Sequence, residues 1–129
     1  VPTPRQLGTA AERLVAAALV RAGWRILGRG VRVGRDELDL VALDPGPPPA
    51  LVVVEVRWRR RDDFGLPEET VDGRKLARLR RAALGLLAGG RLADGQPLPR
   101  AAIRLDVVVV APARRPGQGI ELRHIRGIE

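Results

Sequence analysis

An α/β sheet with helices packed on it, in the order α-β-β-β-α-β-β, is the fold class that this sequence predicts. Three observations lead there. Apolar residues recur at helical spacing in two stretches, one near the N-terminus and one after residue 72. Apolar runs of strand length, "ELDLVAL", "LVVVEV" and "AAIRLDVVVVA", lie between and after them. The second helical stretch separates two of these runs, as a crossover helix between strands of one sheet does.

The elements follow in order. A first helix is expected over Thr3–Ala22, with Pro4 early, Gly23 as its stop, and Leu7, Ala11, Leu14 and Ala18 as its apolar stripe. Residues 24–33, "WRILGRGVRV", alternate loosely and read as a strand, with a turn marked by Gly34 and Asp36. Residues 37–43 form a second strand, "DPGPPPA" a stiff connection, and residues 51–58 a valine-rich third strand. After the polar loop "RRRDDFGLPEE", a second helix starts from Asp72 as N-cap and stops at Gly89. Its Leu76, Leu79, Ala83 and Leu86 are expected to face the core, with Arg74, Arg78 and Arg81 opposite. A loop over 90–100, a buried strand over 101–111 and a weaker strand over 120–125 complete the chain.

The 129 residues suit one domain, 1–129, large enough to bury about 65–70% of its unfolded surface without staples. The absence of cysteine excludes disulfide frameworks and thiolate metal sites and fits a cytoplasmic protein. The apolar run Leu14–Val20 is too short for a membrane span and lacks the form of a signal peptide, so no membrane partner is expected. The net charge of +8, carried by 22 arginines and one lysine, points first to a polyanionic partner. A coding bias toward arginine accounts for the same composition.

Glu55 interrupts an otherwise apolar strand. If the second and third strands form an antiparallel hairpin centred on Pro47, Leu43 faces Leu51, Val41 faces Val53, Asp39 faces Glu55 and Glu37 faces Arg57. Glu37, Asp39, Glu55 and Arg57 then share one face, and Leu38, Leu40, Ala42, Val52, Val54 and Val56 form a core face. Opposed carboxylates with Cβ atoms about 4.5–5.5 Å apart destabilise a sheet. A proton, an arginine or a divalent cation such as Mg²⁺ would offset them. A charged sheet edge, with Glu37 on Arg57 and Arg35 or Arg59 neutralising the rest, is the structural alternative.

The series "GRDELDLVA", "LVVVEVRWR", "FGLPEETVDGRK" and "RLDVVVV" resembles the YraN-like family of predicted endonucleases, over about residues 5 to 125. The order and spacing of the motifs carry the resemblance, since no one of them is specific alone. It implies a restriction-endonuclease-like mixed sheet of the PD-(D/E)XK superfamily and a metal-dependent cleavage of DNA, branched or structured DNA included. It also implies Mg²⁺ or Mn²⁺ as cofactor and, by analogy with resolvases, a homodimer. By position, Asp39 and Glu55 match the acidic residues that hold the metal, and Glu12 the first-helix glutamate. Arg57 stands where the signature has lysine, and Asp36 where the family has glycine before its glutamate. Lys75, the only lysine of the chain, matches the second-helix lysine. Arg57 can stabilise developing negative charge but cannot act as a base. Asp106 matches the family's R-F-D aspartate and would anchor an arginine near the site, with a capping or salt-bridge role as the equal alternative.

Arg59, Arg60 and Arg61, with Arg74, Arg78 and Arg81, are the candidates for nucleic-acid backbone contacts. Trp58 and Phe64 flank that basic run, Trp58 being expected in core or edge packing, and His124 reads as an ordinary strand residue. Two other functions compete with the endonuclease: a nuclease-like module that binds nucleic acid without cleaving it, and a basic scaffold that docks on an acidic protein.

Overall fold

The computed structural model describes residues 1–59, 72–113, 115 and 117–128. Its elements are α1 (Pro4–Arg21), β1 (Arg25–Val33), β2 (Asp36–Asp44), β3 (Ala50–Trp58), α2 (Gly73–Gly89), β4 (Ala102–Pro112) and β5 (Ile120–Ile125). The predicted order is found, and the five strands lie side by side in sequence order. Neighbours are antiparallel except β3 and β4, which run parallel because α2 carries the chain back across the sheet. Among the described residues no helix is long and apolar enough to cross a membrane.

Both helices begin on side-chain caps. The Gln6 N–H donates to the Thr3 hydroxyl and the Thr3 N–H to the Gln6 amide oxygen, a reciprocal box ahead of Pro4. Asp72 accepts the Lys75 N–H at 2.9 Å, as its N-cap role predicts. α2 runs through Gly89, and Gly90 supplies the left-handed cap at φ 67°. The stop is one residue later than expected.

The core has two halves. α1 lays Ala11, Val15, Ala16 and Leu19 on one face of the sheet, against Leu40, Ala42, Val52, Val54, Val108 and Val110, with Val56 and Trp58 packed at the margin. α2 lays Leu79, Ala82, Ala83 and Leu86 on the other, against Leu38, Val41, Leu51 and Val53. Two expectations are corrected here. The α1 stripe is rotated: Leu14 is 41% exposed, while Val15 and Leu19 are buried. The hairpin face that carries Glu55 is also core, because Val41, Leu51 and Val53 lie under α2 and are almost fully buried.

The hairpin register is the predicted one, with Leu43 opposite Leu51 and Val41 opposite Val53. Paired positions end, however, at Leu40 and Val54. Beyond them β2 stays on β1 as far as Asp36 opposite Val33, and β3 stays on β4 as far as Trp58 beside Val110. The sheet forks between β2 and β3, and Asp39 and Glu55 are the first residues past the fork.

Candidate active site

The fork determines where the acidic side chains go. Asp39 takes no part in the β2–β3 ladder; its Oδ2 accepts the Val56 N–H at 2.9 Å and so replaces a strand partner. That contact turns its carboxylate into the gap between the two strands. Glu55, one residue earlier on β3, is only 4% exposed and lies on the α2 side. Lys75, in the first turn of α2, brings its Nζ to 3.0 Å from Glu55 Oε1. Arg57 Nη1 stands 3.8 Å from the same oxygen, with its side chain 37% exposed. Glu12 is half-buried on α1 and reaches Asp39 from the opposite face.

Asp39 therefore sits between two other carboxyls. Burial pushes Glu12 up to about 7, helped by the Asp39 charge, a hydrogen bond with Asp39 and the Glu37 charge, with Arg29 opposing. Burial also pushes Glu55 up to about 7, with the Asp39 charge adding to it and the Lys75 ammonium opposing. Glu12 and Glu55 hold protons near neutrality because burial disfavours their charged forms and Asp39 adds a like charge, which Arg29 and Lys75 only partly offset. Among the described residues, no three His, Cys, Asp or Glu side chains are grouped to enclose a metal ion.

The predicted catalytic set, Glu12, Asp39, Glu55, Arg57 and Lys75, is thus gathered around the fork from α1, β2, β3 and α2. The basic residues divide. Arg74 and Arg78 are exposed on α2. Arg78 lines a cleft of about 170 Å³ beside Lys75, with Arg35 and Glu37 on its β1–β2 side. Arg81 makes a forked contact with Asp36 at 3.2 Å, tying α2 to the β1–β2 turn. Arg59 is half-buried and its N–H donates to the Val110 carbonyl. Arg60, Arg61 and Phe64 lie outside the described residues.

A second polar assembly was only partly anticipated. Asp106 is fully buried and accepts hydrogen bonds from Arg104 Nε at 2.8 Å, Arg104 Nη2 at 3.0 Å and the Gly127 N–H at 3.0 Å. It also shares a 2.8 Å hydrogen bond with His124 Nε2, so this histidine is more than a strand residue. Burial alone would push Asp106 up, but His124, Arg104 and Gly127 outweigh it and hold the carboxyl at about 2. Arg104 reaches Asp44 at 3.0 Å, and the guanidinium groups of Arg104 and Arg126 lie over the Trp24 ring. Asp106 does bind an arginine, Arg104, but as a salt bridge within this second assembly with Asp44 and Trp24. The available signal was the pair "RLD", whose first and third residues point to the same face of a strand.

The model of the uncharacterised protein family UPF0102 matches residues 11–110, a span that contains Glu12, Asp39, Glu55, Lys75 and Asp106. A UPF0102 protein of Corynebacterium efficiens is 40% identical over 125 residues, covering 97% of this chain and 93% of that protein. One from Mycobacterium avium is 42% identical over 123 residues, covering 95% and 89%. One from Symbiobacterium thermophilum is 43% identical over 108 residues, covering 84% of each. A solved structure, that of Pyrococcus furiosus SfsA in complex with Ca²⁺, aligns over 97% of this chain and 64% of that one at 17% identity, but its TM-score of 0.34 is too low to bear on fold or site. With the family match covering most of its length and such relatives beside it, this chain belongs to the UPF0102 family, the YraN-like group.

Proposed function

We propose that the chain is a divalent-metal-dependent endonuclease of the restriction-endonuclease-like superfamily that hydrolyses DNA phosphodiester bonds, with branched or structured DNA among its substrates. One observation carries the reading: Glu55 is almost wholly buried, next to Asp39 at a fork of the sheet, with the chain's only lysine 3.0 Å from it. A fold gains no stability from massing carboxyls at a desolvated place, so the arrangement is better explained by a ligand that needs them.

The donors fit a hard cation. Asp39 and Glu55 offer carboxylate oxygens only, and such pairs suit Mg²⁺ or Mn²⁺, which keep water in the rest of their shell. Asp39 Oδ2 accepts the Val56 N–H, which fixes the carboxylate at the fork. When bound there, the cation would acidify a water and neutralise phosphate charge. The remaining work falls to the chain's own groups. Lys75 holds Glu55 in place and presents an ammonium next to the site. Arg57, always protonated, holds a phosphate oxygen and meets the charge that develops on it. Glu12 hydrogen-bonds Asp39 and orients it from the α1 side.

The first test is calorimetry with Mn²⁺ on the natural chain and on Asp39→Ala, alone and with a short duplex present. Saturable binding that disappears in the variant is expected. It should be accompanied by cleavage of DNA that is lost in Asp39→Ala and Glu55→Ala while DNA binding persists. No cation binding in either condition would sink the enzyme reading. Arg57 at the signature lysine position favours a second reading, a nucleic-acid-binding module without chemistry. The variant Arg57→Lys separates the two: activity that appears only in this variant marks a decayed site, whereas a natural chain that already cleaves leaves Lys75 as the ammonium that serves.

A further inference from the structure

We propose that two copies of this chain associate through β5, pairing their edge strands antiparallel about a two-fold axis at Leu122 and so joining their five-stranded sheets. This rests on the sheet edge and is independent of the proposed activity.

Among the described residues β5 is the last strand of the sheet, and its outer side has no strand beside it. Its pairing with β4 runs without a break from Ile120 to Ile125, so no bulge turns the edge away. Ile120 is 48% exposed and Leu122 is 37% exposed, both on the face where α1 packs but beyond the residues it covers. An unbroken edge with exposed apolar side chains is a template for another strand. The opposite edge is blunted. β1 carries Arg25, Arg29 and Arg32, no acidic residue, two glycines and an irregularity between Ile26 and Gly28. A second β1 would bring it arginines and no carboxylate.

The charges of β5 select the partner and the register. A symmetric antiparallel pair must place one residue opposite its own copy, since close and wide pairs alternate along the ladder and cannot exchange. Three residues lie near the middle of the exposed stretch. Centring on Glu121 opposes two glutamates, and centring on Arg123 opposes two arginines. Centring on Leu122 stacks leucine on leucine and sets Glu121 against the Arg123 of the second copy, twice by symmetry. Ile120 then meets the His124 of the second copy. Of these registers only that one is free of like-charge opposition, and it sets opposite charges against each other. A second copy of the chain is the occupant this edge fits.

Sedimentation equilibrium at low ionic strength, across a wide range of protein concentration, tests the proposal with the natural chain, Glu121→Arg, Arg123→Glu and the double exchange. The natural chain should show a monomer–dimer equilibrium. Each single variant should weaken it about tenfold or more, because two opposite-charge pairs become like-charge pairs, and the double exchange should restore it. Circular dichroism of each variant checks that the fold is intact. A natural chain that stays monomeric throughout would overturn the proposal. So would a dimer indifferent to the single exchanges, or a double exchange that leaves association broken.

Discussion

Asp39 and Glu55 differ in what holds them. Asp39 is fixed by a strand amide, whereas Glu55 is fixed by an ammonium from another element. Glu55 and Glu12 keep their protons up to about 7, well above the ordinary 4.5, so the folded state binds more protons than the unfolded chain between those values. In the absence of metal their contribution is complete below 4.5 and is lost as pH rises through about 7. Asp106 acts in the other direction: held at about 2 against 3.8, it contributes above 3.8 and loses that contribution as pH falls toward 2. The metal-free chain should thus be most stable near 4 to 4.5 and decline toward neutrality. Glu55→Gln, with no proton to lose, should flatten that decline in urea unfolding followed across pH. A natural chain that gains stability from 4.5 to 7 would contradict the assignment.

At the scale of the elements, the site exists because four of them end or begin near one point. The β2–β3 ladder stops at Leu40 and Val54, α2 starts at Gly73 after its Asp72 cap, and α1 crosses above with Glu12 facing down. How tightly α2 is set can be measured with two glycines. A Cβ on Gly85 would stand 2.6 Å from Val33 Cγ1, a stiff β-branched neighbour, while a Cβ on Gly8 of α1 would meet nothing within 4 Å. Gly8→Ala should therefore stabilise by about 0.5–1 kcal/mol through helix propensity. Gly85→Ala should lose that gain to overpacking and destabilise by about 1–3 kcal/mol. Thermal unfolding of the two variants checks the contrast, and equal gains would mean that α2 can move off β1 without penalty.

For the molecule as a whole, the +8 charge and its distribution set how it meets a polyanion. Arg74 and Arg78 are exposed on α2 near the fork, while Arg81 is occupied by Asp36. Under the nuclease reading, log affinity for duplex DNA should fall linearly with log salt. Arg74→Ala and Arg78→Ala should each reduce the slope by about 1, and Arg81→Ala should change it less. Fluorescence anisotropy titrations at several salt concentrations measure this. A slope unaffected by either α2 arginine would place the DNA path elsewhere on the surface.

The sequence by itself determined the element order and the register of the β2–β3 hairpin near its turn, but not that the ladder stops at Leu40 and Val54, short of the expected Asp39–Glu55 pair. It determined that register because the proline-rich turn centred on Pro47 fixes which residues of the two apolar runs face each other. It did not determine which side of α1 faces the sheet. In "LVAAALV" nearly every residue is apolar, so the periodicity hardly distinguishes Leu14 from Val15, and packing against Leu40, Ala42 and Val54 chose Val15. Nor did it show that both faces of the hairpin are core, which depends on where the crossover helix lies. The fork was decided by tertiary structure too, since β2 follows β1 and β3 follows β4 once their ladder ends. Lys75 reaches Glu55 across 20 residues of chain, and Asp106, with Arg104 already beside it on β4, collects His124 and Gly127 from further along the chain. Residue spacing reports local geometry well, but contacts between distant segments are fixed only when helices and strands pack on one another.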